Sequence, residues 1–348
     1  MRYLSIDDYA DLNEILDEYT TTFLEGTFYN NNLEFFLNKI YEVGYAKFKY
    51  LDVELTKEDS VPYTYGLNLI TDYLERISPE YKEDFLKKLN DGTVNTTFHD
   101  NMPDAIAHSS FQLSQMKEKD DSSETYSNPY YTSINVGNYK TNYEYFLVLL
   151  HEYMHSIFYT PSIESRPTMT REDLCEFFSI YFEFDFINYL KNNGIISHDF
   201  SSHIAKRYND VLNFVYGNFP YQTILFYYKQ KYEVIDDVVL EKILQETPIS
   251  KKNLDYIFNN TMPQVEDLVD YQFFLGIPLA YYFSSKNDIE ISKTLLKLAN
   301  EVNTLTVENV IHKLGSSISE LESISFHKIM SDMQNEAIEK DNLKTSNL

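Results

Sequence analysis

The stretch FLVLLHEYMHSIFY, residues 146–159, constrains this chain more than any other. Five apolar or aromatic residues lead into His151, Glu152, Tyr153, Met154 and His155. On a helix, residues four apart share a face about one turn apart, so both imidazoles can reach the same ion. Zinc takes neutral imidazole nitrogens as ligands, and a Glu beside the first of them stands where it can deprotonate a zinc-bound water. The apolar flanks predict a buried helix, which suits ligands that must be held rigidly. With only 8 His in the chain, a chance match to this pattern is a rare event. Two core histidines that are merely hydrogen-bonded are the bland alternative, and a third ligand is what separates the two readings.

That ligand should come from a neighbouring helix. TREDLCEFFSIYFEFDFINYLKNNG, residues 170–194, starts with Thr170 as N-cap and Asp173 three positions on, close to a capping box. It ends at Gly194, a suitable residue just past a helix end. Glu172, Glu176, Ser179 and Glu183 fall on one stripe of this helix. Acids on an otherwise aromatic helix are costly to bury unless paired or metal-bound. Glu176 is central, and 20 residues separate it from His155, room for a reversing loop at 161–167. It is therefore the expected third ligand. Taken alone, Glu172 and Glu183 read more readily as a solvent-facing acidic stripe.

Helical periodicity dominates the remainder. Amphipathic helices are predicted over 7–25 and 30–50, broken near Gly26 and Asn30. Another is predicted over 79–91, with Ser78 as N-cap, Pro79 at the first position and Gly92 past the end. Two more are predicted over 103–117 and 316–339. The polar run DDSSETYSNP at 120–129 reads as a loop, and the alternation that follows it reads as a strand over 130–136. The expected fold class is mainly α, with a small β-sheet beside the zinc-binding helix. Residues 1–120 form a helical N-terminal region, a reduced cap, and residues 121–348 the catalytic region; a single continuous domain is the alternative.

A chain of 348 residues buries a sizeable core without staples, and the lone Cys175 has no internal partner, so nothing points to an oxidising compartment. The net charge of −25 argues against a nucleic-acid partner, because phosphate backbones require clustered Lys and Arg. It is compatible with a field that draws in cationic substrates, or with solubility alone. The N-terminus, MRYLSIDDYADLNEIL, has acids where a signal peptide needs a basic stretch. No apolar run reaches the roughly 18 residues of a membrane span. The expectation is a cytoplasmic protein with no membrane association; its oligomeric state is not specified by the sequence.

Together these motifs resemble the oligoendopeptidase F and thimet-oligopeptidase group of zinc peptidases, over roughly residues 128–285. That family carries H-E-x-G-H followed by E-x-x-S-x-x-x-E, whose first Glu is the third ligand. Glu176, Ser179 and Glu183 reproduce the second pattern. NPYYTSIN at 128–135 looks like the family's strand before the zinc helix, and YQFFLG at 271–276 is similar to its tyrosine-rich segment. The resemblance implies a helical metallopeptidase that hydrolyses oligopeptides in a cleft. It implies one zinc per chain on His151, His155 and Glu176, with Glu152 as base and Ser179 and Glu183 orienting the ligand histidines. The strand over 130–136, with Tyr131, Ser133 and Asn135, reads either as a partner for an extended substrate or as a plain sheet edge. Tyr271, or failing that Tyr281 or Tyr282, would donate to the oxyanion, although each tyrosine also reads as core packing.

The departures are specific. Met154 stands where the family has glycine, no His lies between positions 204 and 311, and the chain is short before residue 128. They support an alternative, a zinc-containing peptide-binding or regulatory protein without general turnover. His99, His108, His198, His203, His312 and His327 lack metal-ligand spacing and read as surface or capping residues.

Overall fold

The computed structural model describes residues 10, 12–17, 28–43, 61–91, 94–99, 132–137, 143–158, 169–195, 219–247, 249–250, 271–299, 306–333 and 335. The elements in chain order are helices α1 (Phe28–Asn31), α2 (Leu33–Val43), α3 (Tyr63–Ile77) and α4 (Pro79–Asp91), then strands β1 (Val94–His99) and β2 (Thr132–Gly137). Helices α5 (Tyr143–Phe158), α6 (Met169–Asn192), α7 (Phe219–Tyr232) and α8 (Asp237–Glu246) follow. The series ends with α9 (Tyr271–Ser284), α10 (Ile289–Leu298), α11 (Val307–Lys313) and α12 (Ile318–Ser323). The chain is mainly helical, as its periodicity predicts. β1 and β2 pair in parallel, from Val94 opposite Thr132 to His99 opposite Gly137, and β2 rests on α5. No helix among the described residues is long and apolar enough to cross a membrane.

Helix α6 is the axis of the molecule. Leu174, Phe177, Phe178, Tyr181, Phe182, Phe186, Ile187 and Leu190 are all buried along it, covering every side of the helix. A helix apolar all round belongs inside a larger core. It packs along α9 more extensively than any other pair of described elements, and also against α5, α10, α11 and α3. The core is largely aromatic: Phe158 stacks on Phe178 with centroids 4.0 Å apart, and Phe177 meets Phe283 of α9 edge to face at 6.2 Å. Each such ring contributes roughly 1.5–3 kcal/mol by burial.

Helix ends follow their local chemistry. α4 begins at Pro79, and the Ser78 carbonyl accepts from the Tyr81 and Lys82 amides, placing Ser78 at the N-cap position. α6 closes at Gly194 with φ +66°: the Ile195 amide donates to the Leu190 carbonyl and the Gly194 amide to Lys191. This paired arrangement needs the left-handed conformation that glycine adopts freely.

Several expectations change. α6 opens at Met169, so Thr170 lies inside the helix and not at its cap. The break predicted at Asn30 is at Asn32, whose side-chain amide satisfies the Phe28 carbonyl at 2.9 Å. The single helix predicted over 316–339 is interrupted at Ile324, which has extended backbone. Ser317 accepts from the Glu320 amide and Ser325 from the Lys328 amide, so two serines cap two shorter helical segments. α3 has no counterpart among the predicted helices. Its first turn, Tyr63, Thr64, Tyr65 and Gly66, holds poor helix formers, and its order comes from Leu69, Ile70, Tyr73, Leu74 and Ile77, which are buried in the core. The predicted helix 103–117, the loop 120–129 and the flanks of the 7–25 helix lie outside the described residues.

Candidate metal centre

α5 and α6 run antiparallel, which follows from three contacts between them. Phe158 stacks on Phe178, Ser179 Oγ lies 3.0 Å from His155 Nδ1, and Glu183 Oε1 lies 2.5 Å from His151 Nδ1. Advancing along α5 thus means retreating along α6. α5 is held from its other side by α4. The Tyr153 hydroxyl lies 2.7 Å from the Tyr81 carbonyl and 3.0 Å from Asp84 Oδ2, and the Tyr153 ring packs edge to face on Phe85 at 4.8 Å. With Tyr153 anchored outward, His151 and His155 are presented together toward α6. Met154 is fully buried in the core.

Three donors converge there. His151 Nε2 and His155 Nε2 are 2.8 Å apart, and the Glu176 carboxylate bridges them, with Oε2 at 3.5 Å from the first and Oε1 at 3.6 Å from the second. His151, His155 and Glu176 form a group able to hold a metal ion. The histidines are buried and Glu176 partly so.

The outer ring nitrogens set the protonation. Glu183 can only accept, so His151 donates from Nδ1, leaving Nε2 for the convergence point. Burial alone would lower the pKa of His151, but the charge and hydrogen bond of Glu183, with Glu176 and Glu152, outweigh it and hold the pKa above the usual value. Burial and the neighbouring His151 push His155 well below its usual range, with Glu183 opposing only in part. A neutral His155 that donates from Nδ1 to Ser179 turns its Nε2 lone pair inward. Both Nε2 atoms then face the Glu176 carboxylate. A divalent cation at this point would offset the charge where Glu152, Glu176 and Glu183 meet two imidazoles.

Glu152 is buried beside this group, close enough to raise the His151 pKa, and its Oε2 atom has no hydrogen-bond partner among the described residues. A buried carboxylate oxygen without a partner is costly unless something external completes it.

The other candidates fall as follows. Ser133 and Asn135 lie on β2, in register with Asn95 and Thr97 of β1. Their side chains, Tyr131 and the side chain of Glu172 lie outside the described residues. Tyr271 opens α9, with its side chain likewise outside them. Tyr281 packs edge to face on Phe184 at 5.8 Å, and the Tyr282 hydroxyl donates to Glu320 at 3.0 Å. Sequence reasoning passed over Asp185, which accepts from Tyr73 and from Ser292, each at 2.8 Å, and ties α6 to α3 and α10. Its only signal was a fifth acid on an aromatic helix. Comparison of the chain with family models, with curated proteins and with solved structures finds no match in any of the three.

Proposed function

We propose that this chain is a zinc-dependent endopeptidase of the oligoendopeptidase F and thimet-oligopeptidase type, acting on oligopeptides in a cleft. The observation that carries the reading is the buried Glu152 carboxylate oxygen, without a hydrogen-bond partner among the described residues, beside a three-donor group. A purely structural metal site has no use for a further carboxylate there, whereas hydrolysis needs a base. The donor set also suits zinc. Two His and one Glu are a catalytic set that leaves a fourth position open. Two donors bound at about 2.1 Å cannot lie more than about 4.2 Å apart, and the separations of 2.8, 3.5 and 3.6 Å satisfy this.

Zinc, when bound, polarises a carbonyl and lowers the pKa of a coordinated water. The chain's residues do the rest. Glu152 accepts the water's proton and later delivers it to the leaving amine. Glu183 and Ser179 keep the two ligand rings oriented through their Nδ1 atoms. An oxyanion donor is needed; the Tyr282 hydroxyl is engaged by Glu320, which favours Tyr271 or Tyr281 for that role. Tyr131, Ser133 and Asn135 would run beside an extended peptide paired to the strand. The second reading, a zinc-containing peptide binder, is favoured by the lack of any His between positions 204 and 311.

Zinc-loaded protein incubated with a peptide library, with products read by mass spectrometry, separates these readings. Cleavage that Glu152→Gln abolishes while keeping the metal supports the peptidase. Retained peptide binding with no cleavage by the wild type supports the binder. A Glu152→Gln variant that cleaves at the wild-type rate removes Glu152 from the mechanism.

A further inference from the structure

Helix α9 contributes none of the three donors, yet it touches the chain directly behind one of them. A Cβ built on Gly276 would lie 2.9 Å from the Phe177 amide nitrogen, 3.2 Å from the Phe177 Cα and 3.4 Å from the Glu176 carbonyl carbon. All three neighbours are backbone atoms. No side chain can rotate away, so any residue larger than glycine must move one helix relative to the other. Glycine is the poorest helix former after proline, and Pro278 follows two positions later inside the same helix. Two unfavourable residues in one turn of α9, at its crossing with α6, are not there for helix stability. One of them has a visible purpose in the backbone contact at 176–177.

We propose that Gly276 is a positioning residue for the metal centre: by letting α9 seat against the α6 backbone at Glu176 and Phe177, it fixes the height of the Glu176 carboxylate relative to His151 and His155. Ligand geometry tolerates errors of only about 0.2 Å in bond length, and sites lose function when supporting contacts slip by about 0.5 Å. Relieving a 2.9 Å contact requires a shift of that order. Glu183 and Ser179 hold α6 to α5 through the histidine rings, and the Gly276 contact adds support at the backbone of Glu176 itself. The inference rests on the metal reading of the cluster.

The test is a zinc titration of the full chain against a competing chelator, for wild type, Gly276→Ala and Ile243→Ala. Ile243 is buried in α8, which packs on α7, and serves as a control for general core destabilisation. Gly276→Ala is expected to weaken zinc binding about 10-fold or more, and Ile243→Ala to leave it unchanged. Wild-type zinc affinity in Gly276→Ala overturns the inference while leaving the metal reading intact. Equal weakening in both variants also overturns it, because the effect is then general destabilisation. A wild type that takes up no zinc ends the metal reading, and this inference with it. Should Gly276→Ala not fold, hydrogen exchange of the wild type supplies the answer. Zinc loading should slow amide exchange around Gly276 as it does around Glu176, and leave α8 unchanged. No zinc-dependent change in α9 overturns the inference.

Discussion

Two polar clusters are buried on the same helix, nine residues apart, and they differ in one respect. Around Asp185 the hydrogen bonds close. Ser292 donates to Asp185 at 2.8 Å, so Tyr181, 2.9 Å from Ser292, must donate to it, while Tyr73 donates to Asp185 from the other side at 2.8 Å. No atom of that cluster is buried without a partner among the described residues. Around His151 and His155 three carboxylates meet two imidazoles, and Glu152 Oε2 is buried without a hydrogen-bond partner among the described residues. A closed network clamps helices; an open one has capacity for something the chain does not supply. Burial of polar groups alone does not separate a clamp from a site, but the accounting of donors and acceptors does.

The contrast breaks most plainly if the open cluster holds no metal. His151→Ala and His155→Ala should each reduce zinc affinity by about a thousandfold or more, because two ligands cannot make the site that three do. Elemental analysis with chelator competition reads this, and unchanged uptake in either variant removes the centre. Among the acids of α6, Glu176→Ala should weaken binding by orders of magnitude and Glu183→Ala by about 10–100-fold. Glu172→Ala should cost least. A larger loss from Glu172→Ala than from Glu176→Ala would mean that the ligand assignment is off by one helical turn.

The closed cluster should show the opposite profile. Asp185→Ala strands the donors of Tyr73 and Ser292 and should cost about 2–3 kcal/mol in urea unfolding, with zinc affinity unchanged. If affinity falls as well, the two clusters are coupled through α6. Asp185 also titrates in a telling direction. Burial raises its pKa above the usual carboxylate value, against the hydrogen bonds of Ser292 and Tyr73 and the charge of Arg76. The folded state therefore holds this proton more tightly than the unfolded state. Its contribution is fully present below the unfolded pKa of about 3.9 and fades as pH rises through the folded value. Relative to Asp185→Asn, which cannot titrate, the wild type should gain stability as pH falls through that window.

The metal centre should respond to pH with the other sign. With the His151 pKa held above about 6.5, one proton must leave before zinc binds. Affinity should fall about tenfold per pH unit below the His151 pKa, and level off above it. An isothermal titration series across pH reads this; a flat profile would mean that His151 is already neutral. The smallest effect belongs to Ser179→Ala, which removes the 3.0 Å contact on His155 Nδ1 and should weaken zinc by about tenfold or less.

What could be read from residues alone was local. The spacing of His151 and His155 places them on one helical face whatever surrounds them, and Gly194 terminates α6 through a backbone conformation that few other residues adopt. Ser78 and Pro79 likewise mark a helix start by local chemistry. The misses are where local preference was weak or overruled. α3 forms despite Tyr63, Thr64, Tyr65 and Gly66 because its later residues are buried, and periodicity ran through Ile324 because it does not register two successive serine caps.

Periodicity by itself did not separate the roles of the acids, for a physical reason. Periodicity places Glu176, Ser179 and Glu183 on one stripe but carries no information about the height at which that stripe meets α5. The antiparallel register decided it. The seven positions between Glu176 and Glu183 span about 10 Å, and the His151 ring bridges that gap, with Nε2 toward Glu176 and Nδ1 on Glu183. The same holds for Gly276, a weak helix residue in sequence and a point of backbone contact behind Glu176 in the fold. Sequence determined which residues could bind; only the packing of α5, α6 and α9 decided which of them meet, because that depends on contacts between segments remote along the chain.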